Sequence, residues 1–285
     1  MRKSLLATAL FISSSLQAAT ITVTYDNMDS PAIGAFAKAA DIWAGCLASD
    51  IEVKVRVSGI ERGPTGFALP RGVRNEAHLP MKDTWYPTAL ANALKGERDS
   101  DLDDMNIFMS KKTNWFYGDG EITPEQTDYI NVAVHEIAHG LGISSGSFIP
   151  WQGEKIGSIG MPNEYINFFQ LSFELPELDG TPLVYDRMIM TADNKAITSF
   201  ANPSKELATA LTTDGIYFSG DVTTELNGTA VKVTPGNISH IPAQEGQLTP
   251  IMLSNSGIGE SIHQPDPILL AMLTDLGWEI SQSCR

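Results

Sequence analysis

The period of the hydrophobic pattern changes several times along the chain, and the changes outline its elements. Thr20–Asp26 (TITVTYD) alternates like a strand, and Ile51–Val57 (IEVKVRV) does so cleanly. Between them, Ser30–Ala48 is rich in alanine and sets Ile33, Phe36, Ala40 and Trp43 on one helical stripe. Glu61–Thr84 is rich in Gly, Pro and Arg and reads as a long surface loop. A short helix over Trp85–Lys95 and a strand over Asp104–Ser110 follow, the latter read as an edge open to an extended peptide.

Thr123–Gly142 (TPEQTDYINVAVHEIAHGLG) carries the strongest helical signal, with Ile130, Val134, Ile137 and Leu141 recurring at spacings of four, three and four. Thr123 reads as its N-cap, Pro124 as the first helical position and Gln126 as the partner in a capping box. Gly140 and Gly142 then let the chain leave the helix without a Cβ penalty.

Beyond this point the texture is irregular. Ser144–Gly160 is rich in Gly and Ser, Pro162–Phe173 reads as a helix, and Leu175–Gly236 mixes short strands with turns. A last helix opens at Asp266-Pro267 and closes at Gly277, with Trp278 packing on it. The order of elements predicts an α+β protein. A twisted sheet with backing helices occupies residues 20–145, and a less regular C-terminal subdomain occupies 146–285.

The long helix contains His135-Glu136-Ile137-Ala138-His139, an H-E-x-x-H motif. Residues four apart on a helix share a face, so both imidazoles can reach one Zn²⁺ at ~2.0–2.1 Å. Glu136 lies too far round the helix to join them, yet it can take a proton from a water that zinc has acidified. The histidines fall opposite the apolar stripe, which places the helix between two masses of protein and the site in a cleft. With five His and 34 acidic residues in the chain, about 0.01 chance matches are expected. Two ordinary helix-surface histidines are therefore a poor explanation.

Residues 1–19 have the form of a secretory signal: Arg2 and Lys3, an apolar run from Leu5 to Leu16, then small residues with cleavage expected near Ala18 or Ala19. The run is too short to span a bilayer, and no later segment qualifies. Without Arg2 and Lys3, 17 basic face 34 acidic side chains, a balance that disfavours nucleic acid and anionic membranes as partners. A secreted monomer, extracellular or periplasmic, is the expectation. In such a compartment Cys46 and Cys284 are expected to form a disulfide, two free thiols being the alternative. Asp99, Asp101, Asp103 and Asp104 cluster as a possible Ca²⁺ site, or as a solvated turn.

Catalytic zinc usually has three protein ligands. The extended pattern H-E-x-x-H-x-x-G-x-x-H holds through Gly142 and fails at Ser145. His78, His240, His263 and a carboxylate such as Glu164 remain as candidates.

HEIAHGLGISSG, a long insert, ISHIPAQEGQLTPIML and finally DPILLAMLTDLGWEI together resemble the leishmanolysin-type metzincins, a zincin family. The resemblance is clear at the motif helix and from Ile238 onward, and weak over residues 146–235. It implies His240, in the Ser239-His240 pair, as third zinc ligand. It also implies Met252 as the Met-turn residue flooring the site, and Asp275-Leu276-Gly277-Trp278 as the terminal signature. The turn reads Pro250-Ile251-Met252-Leu253 instead of Leu-Met-x-Pro, and neither the cysteine richness nor the cysteine-bearing pro-segment of the protozoan enzymes is present. The likeness is thus to bacterial secreted relatives. The implied activity is a zinc metalloendopeptidase acting on proteins or peptides, with Glu136 catalytic. A zincin-fold binding protein that no longer cuts and a zinc amidase for cell-wall peptides are the competing readings.

Overall fold

A computed structural model describes residues 19–118, 120–150, 153–159, 180–244 and 249–284. The expected signal segment up to residue 18, the helix expected over Pro162–Phe173 and Glu164 lie outside the described residues. The architecture is α+β. β1 (Ile21–Asp26), β2 (Val53–Ile60), β6 (Met105–Ser110) and β3 (Gly66–Pro70) form a four-stranded sheet in that order. The first three run parallel and β3 pairs antiparallel with β6. Val53, Val55 and Val57 of β2 are buried while Lys54 and Arg56 are partly exposed, so one face carries the core and the other a polar lattice.

Helix α1 (Ser30–Cys46), capped by the Asp29 side chain, packs along β1. It also lies against α3 (Tyr129–Leu141), which in turn covers β3 and β6. Trp43 Nε1 donates to the Val134 carbonyl at 2.9 Å, fixing one helix on the other. Every residue of α3 is buried. The second mass of protein, opposite the sheet, comes from the C-terminal half. It holds a three-stranded sheet of β7 (Ile189–Thr191), β8 (Ile216–Phe218) and β9 (Val231–Lys232) and the helices α4 (Lys205–Thr212), α5 (Asp221–Asn227) and α6 (Pro267–Leu276). One apolar cluster runs through both halves, from Phe36 and Ile107 to Phe218 and Leu273.

Three local expectations need correction. The span Glu61–Thr84 is not one loop: it contains β3 and β4 (Gly72–Arg74), the latter paired with β5 (Trp85–Pro87), and only then does α2 (Thr88–Lys95) begin. The Asp104–Ser110 segment is not an edge, because β2 and β3 flank it on either side; β3 takes that position. Half of the Thr123 box forms, with Thr123 N–H donating to Gln126 Oε1 at 3.0 Å while Gln126 N–H donates to the Thr123 carbonyl at 3.0 Å, but as a separate turn ahead of the helix. The α3 cap is Asp128, which accepts from Asn131 N at 2.9 Å. A box of matching letters cannot cap α3 when tertiary contacts, including the Gly257 carbonyl accepting from Asp128 N–H at 2.8 Å, hold the chain extended to residue 128.

The C-terminal signals hold. Asp266 caps α6, accepting from Leu269 N at 3.0 Å, and Gly277 ends it in the left-handed region at φ 118°. Trp278 reaches past its own helix, and its Nε1 donates to the Leu141 carbonyl at 2.8 Å, satisfying an orphan acceptor at the end of α3. Cys46 and Cys284 are bonded, with Cα atoms 4.9 Å apart, tying the tail to the end of α1. The acidic cluster lies in the turn that leads into β6. Asp99 pairs with Lys95, Asp101 with Lys54, Asp103 with Arg56 and the buried Asp104 with Arg98, so each carboxylate already has a basic partner.

Candidate metal centre

Helix α3 delivers its two histidines from its last two turns, one above the other. Their ring centroids are 4.6 Å apart. His240 comes from a loop nearly a hundred positions away and closes the triangle, with centroids 5.1 Å from His135 and 4.9 Å from His139. One ligand atom from each of the three lies within 4.8 Å of the others. Of the remaining histidines, His78 bonds the Ala91 carbonyl and His263 bonds Asp128 Oδ2 at 2.9 Å, and neither joins the group.

The backbone fixes two of the rings. His135 Nδ1 donates to the Ile251 carbonyl at 2.7 Å and His139 Nδ1 donates to the Ile143 carbonyl at 2.6 Å. With Nδ1 carrying the proton, Nε2 keeps its lone pair, the tautomer a metal ligand needs. The Ile251 carbonyl belongs to the turn that the resemblance marked: Leu253 N–H closes it onto Pro250 O at 3.1 Å, and Met252 within it is fully buried. Asp266 Oδ2 accepts from Ile251 N at 3.2 Å, so the cap of α6 also steadies the turn under His135.

Electrostatics favour neutral imidazoles. Burial pushes His135 well below the usual histidine range, helped by the neighbouring rings, and pushes His139 down to about 4 and His240 to about 3. Only the neutral form can bind a cation. Glu136, buried in the same pocket, is pushed up to about 8 by burial. Its Oε2 and the Nδ1 of His240 are buried with no hydrogen-bond partner. Orphaned buried polar atoms call for an occupant. Three neutral nitrogens plus an adjacent carboxylate suit a borderline-soft divalent ion such as zinc.

A cleft of 190 Å³ opens over Glu136, lined by Gly66, Val132, His135, Ser254, Asn255 and Ile258 among others. The first residue of β3 sits so close that a Cβ on Gly66 would lie 2.7 Å from Glu136 Oε1. Gly140 has a related role and is not a hinge, since a Cβ there would lie 2.1 Å from Met105 Sδ of β6; only Gly142, at φ 131°, turns the chain. The aromatics Trp115 and Tyr117 pack on Tyr129 at the start of α3, a packed loop and not a lining of the cleft.

Sequence reasoning missed Asp186. It is fully buried on a 3₁₀ turn (Tyr185–Met188) and bonded to Ser145 and Gly146 just past α3. Burial pushes it up to about 6 against the pull of those donors. It stands in the stretch where the family likeness is weakest, and its sequence context, Val184-Tyr185-Asp186-Arg187, carries no motif.

Residues 84–156 match the SPBPB7E8-like family. That span, about a quarter of the chain, includes all of α3 and ends far short of His240. No curated protein and no solved structure matches the chain.

Proposed function

We propose that this protein is a secreted zinc metalloendopeptidase of the leishmanolysin-like metzincin type. The observation that carries the reading is the convergence of three imidazoles from two distant segments, those of His135 and His139 buried and that of His240 partly so, beside an unpartnered carboxylate oxygen. His135, His139 and His240 would hold the ion. When bound, zinc would supply Lewis acidity, polarising the scissile carbonyl and acidifying water. Glu136 takes the proton of the attacking water at Oε2 and passes it to the leaving amine.

Strand β3, at the sheet edge and in contact with Glu136 at Gly66, offers main-chain groups to an extended substrate by strand addition. The disulfide, and the lack of any helix long and apolar enough to cross a membrane among the described residues, are compatible with export.

The test is hydrolysis of casein and a peptide library by purified protein, with and without a chelator, alongside metal analysis. About one zinc per chain and chelator-sensitive cleavage are expected. Glu136→Gln should keep the zinc and lose hydrolysis by about 10²–10⁴-fold. Zinc binding unchanged in His240→Ala would remove the proposed site, and cleavage unaffected by Glu136→Gln would remove the mechanism.

A further inference from the structure

Two adjacent, fully buried groups take no part in the proposed chemistry, Tyr185 and Asp186 on the 3₁₀ turn of the C-terminal half. They reach in opposite directions along the chain. Asp186 Oδ1 accepts from Ser145 Oγ at 2.5 Å, while its Oδ2 accepts from Gly146 N at 3.0 Å and Leu183 N at 2.9 Å. That grips the segment leaving α3, just past His139. The Tyr185 hydroxyl donates to the Ile238 carbonyl at 2.7 Å, two residues before His240. The two arms are closed by Ser145 N–H donating to Ser239 Oγ at 2.9 Å. A ring of hydrogen bonds thus joins the exit of the motif helix to the loop that carries the third histidine.

That ring matters because the His240 side chain has no anchor beyond its own loop, where it faces the Asn237 backbone. His135 and His139 are each oriented by a carbonyl on Nδ1, whereas His240 Nδ1 is buried without a partner. Its position must therefore come from its backbone. Bonds to Asn237 and Thr234 shape the loop internally, and Ile241 N–H to Met252 O ties its far end to the turn below His135. The near end is held to α3 through Ser239, Tyr185 and Asp186.

We infer that Tyr185 and Asp186 are positioning residues for the third metal ligand, acting through Ser145 and Ser239 to set His240 against the two helix histidines. The inference rests on the metal-centre reading above. Ser145 occupies the place where the short form of the motif would put its own histidine. Here that position holds the imported ligand instead of supplying one.

The experiment measures zinc affinity by chelator competition, and the visible spectrum of cobalt-loaded protein, for Tyr185→Phe, Asp186→Asn and Ser239→Ala. Each is made in the parent and in a His240→Ala background. In the parent, each should weaken zinc binding by about 10–100-fold and shift the cobalt bands. In the His240→Ala background the same changes should alter affinity by no more than about twofold, since the ligand they position is gone. Equal losses in both backgrounds would mean a general structural effect and would overturn the inference, as would unchanged affinity and spectra in the parent. Should Asp186→Asn not fold, Tyr185→Phe and Ser239→Ala decide the matter, since each removes one oxygen and leaves the packing in place. A parent that binds no zinc would remove this inference together with the metal centre. A parent that binds zinc, with variants that bind it equally well, would remove this inference alone.

Discussion

Replacing Gly66 with alanine tests how closely the sheet edge is fitted to the proposed base. The added Cβ would lie 2.7 Å from Glu136 Oε1, 3.1 Å from its Cγ and 3.0 Å from Val132 Cγ1, where ordinary contact starts at 3.4 Å. The carboxylate or the strand must therefore retreat by about 0.7 Å, and a displacement near 1 Å can cost about 10²-fold in rate. Overpacking of this kind costs about 1–3 kcal/mol, or roughly 2–12 °C in Tm for a chain of this size. No zinc ligand is touched, so zinc content should stay at the parent level while kcat/KM on a peptide substrate falls about 10–100-fold. Gly34→Ala is the matched control. Nothing lies within 4 Å of its new Cβ, and it sits in α1, so stability should hold or rise by up to about 1 kcal/mol. Full activity and an unchanged melt for Gly66→Ala would refute the reasoning. Loss of zinc together with activity would show that the perturbation does not act through the carboxylate.

Removing the Cys46–Cys284 bond, which spans 238 positions, releases unfolded-chain entropy worth at most about 5 kcal/mol. Thermal melts with and without reductant should differ by several degrees, and a Cys46→Ser, Cys284→Ser double variant should match the reduced protein in both conditions. Asp128 gives a pH test. Burial pushes its pKa up, but bonds from His263, Ser261 and the Asn131 amide outweigh that and hold it below 3.8. A depressed carboxylate stabilises the fold above its unfolded pKa and loses that contribution as pH falls through the folded value. Asn caps helices as well as Asp does, so Asp128→Asn should be less stable than the parent at pH 6, and the gap in urea melts should narrow below about pH 4. A gap of constant size from pH 6 to pH 3 would count against the charge as its source.

The residues themselves carried a good part of this protein. Four-residue spacing on a helix is enough to stack His135 over His139. The Asp266-Pro267 start and Gly277 stop of α6 are equally local and appear where the sequence placed them; the alternation of β2 is local too, though the strand runs over Val53–Ile60 and not Ile51–Val57. Such features depend on neighbours within a turn or two, which is the range over which a pattern of side chains fixes backbone geometry. The pairing of Cys46 with Cys284 followed from counting two cysteines in a chain whose first residues read as a secretory signal.

What the sequence could not decide was which distant segments meet. Strand order is a matter of non-local hydrogen bonds, so the edge passed from the Asp104–Ser110 segment to β3, a strand hidden in a Gly- and Pro-rich stretch that looked like loop. The cap of α3 moved from Thr123 to Asp128 because Gly257, Ser261 and His263, all far away in sequence, hold Asp128 in place. His240 could be named beforehand only through family likeness; no spacing marked it. Its arrival beside His135 and His139 depends on Asp186, Tyr185 and the Pro250–Leu253 turn, and those contacts exist only once the C-terminal half has packed against the helix.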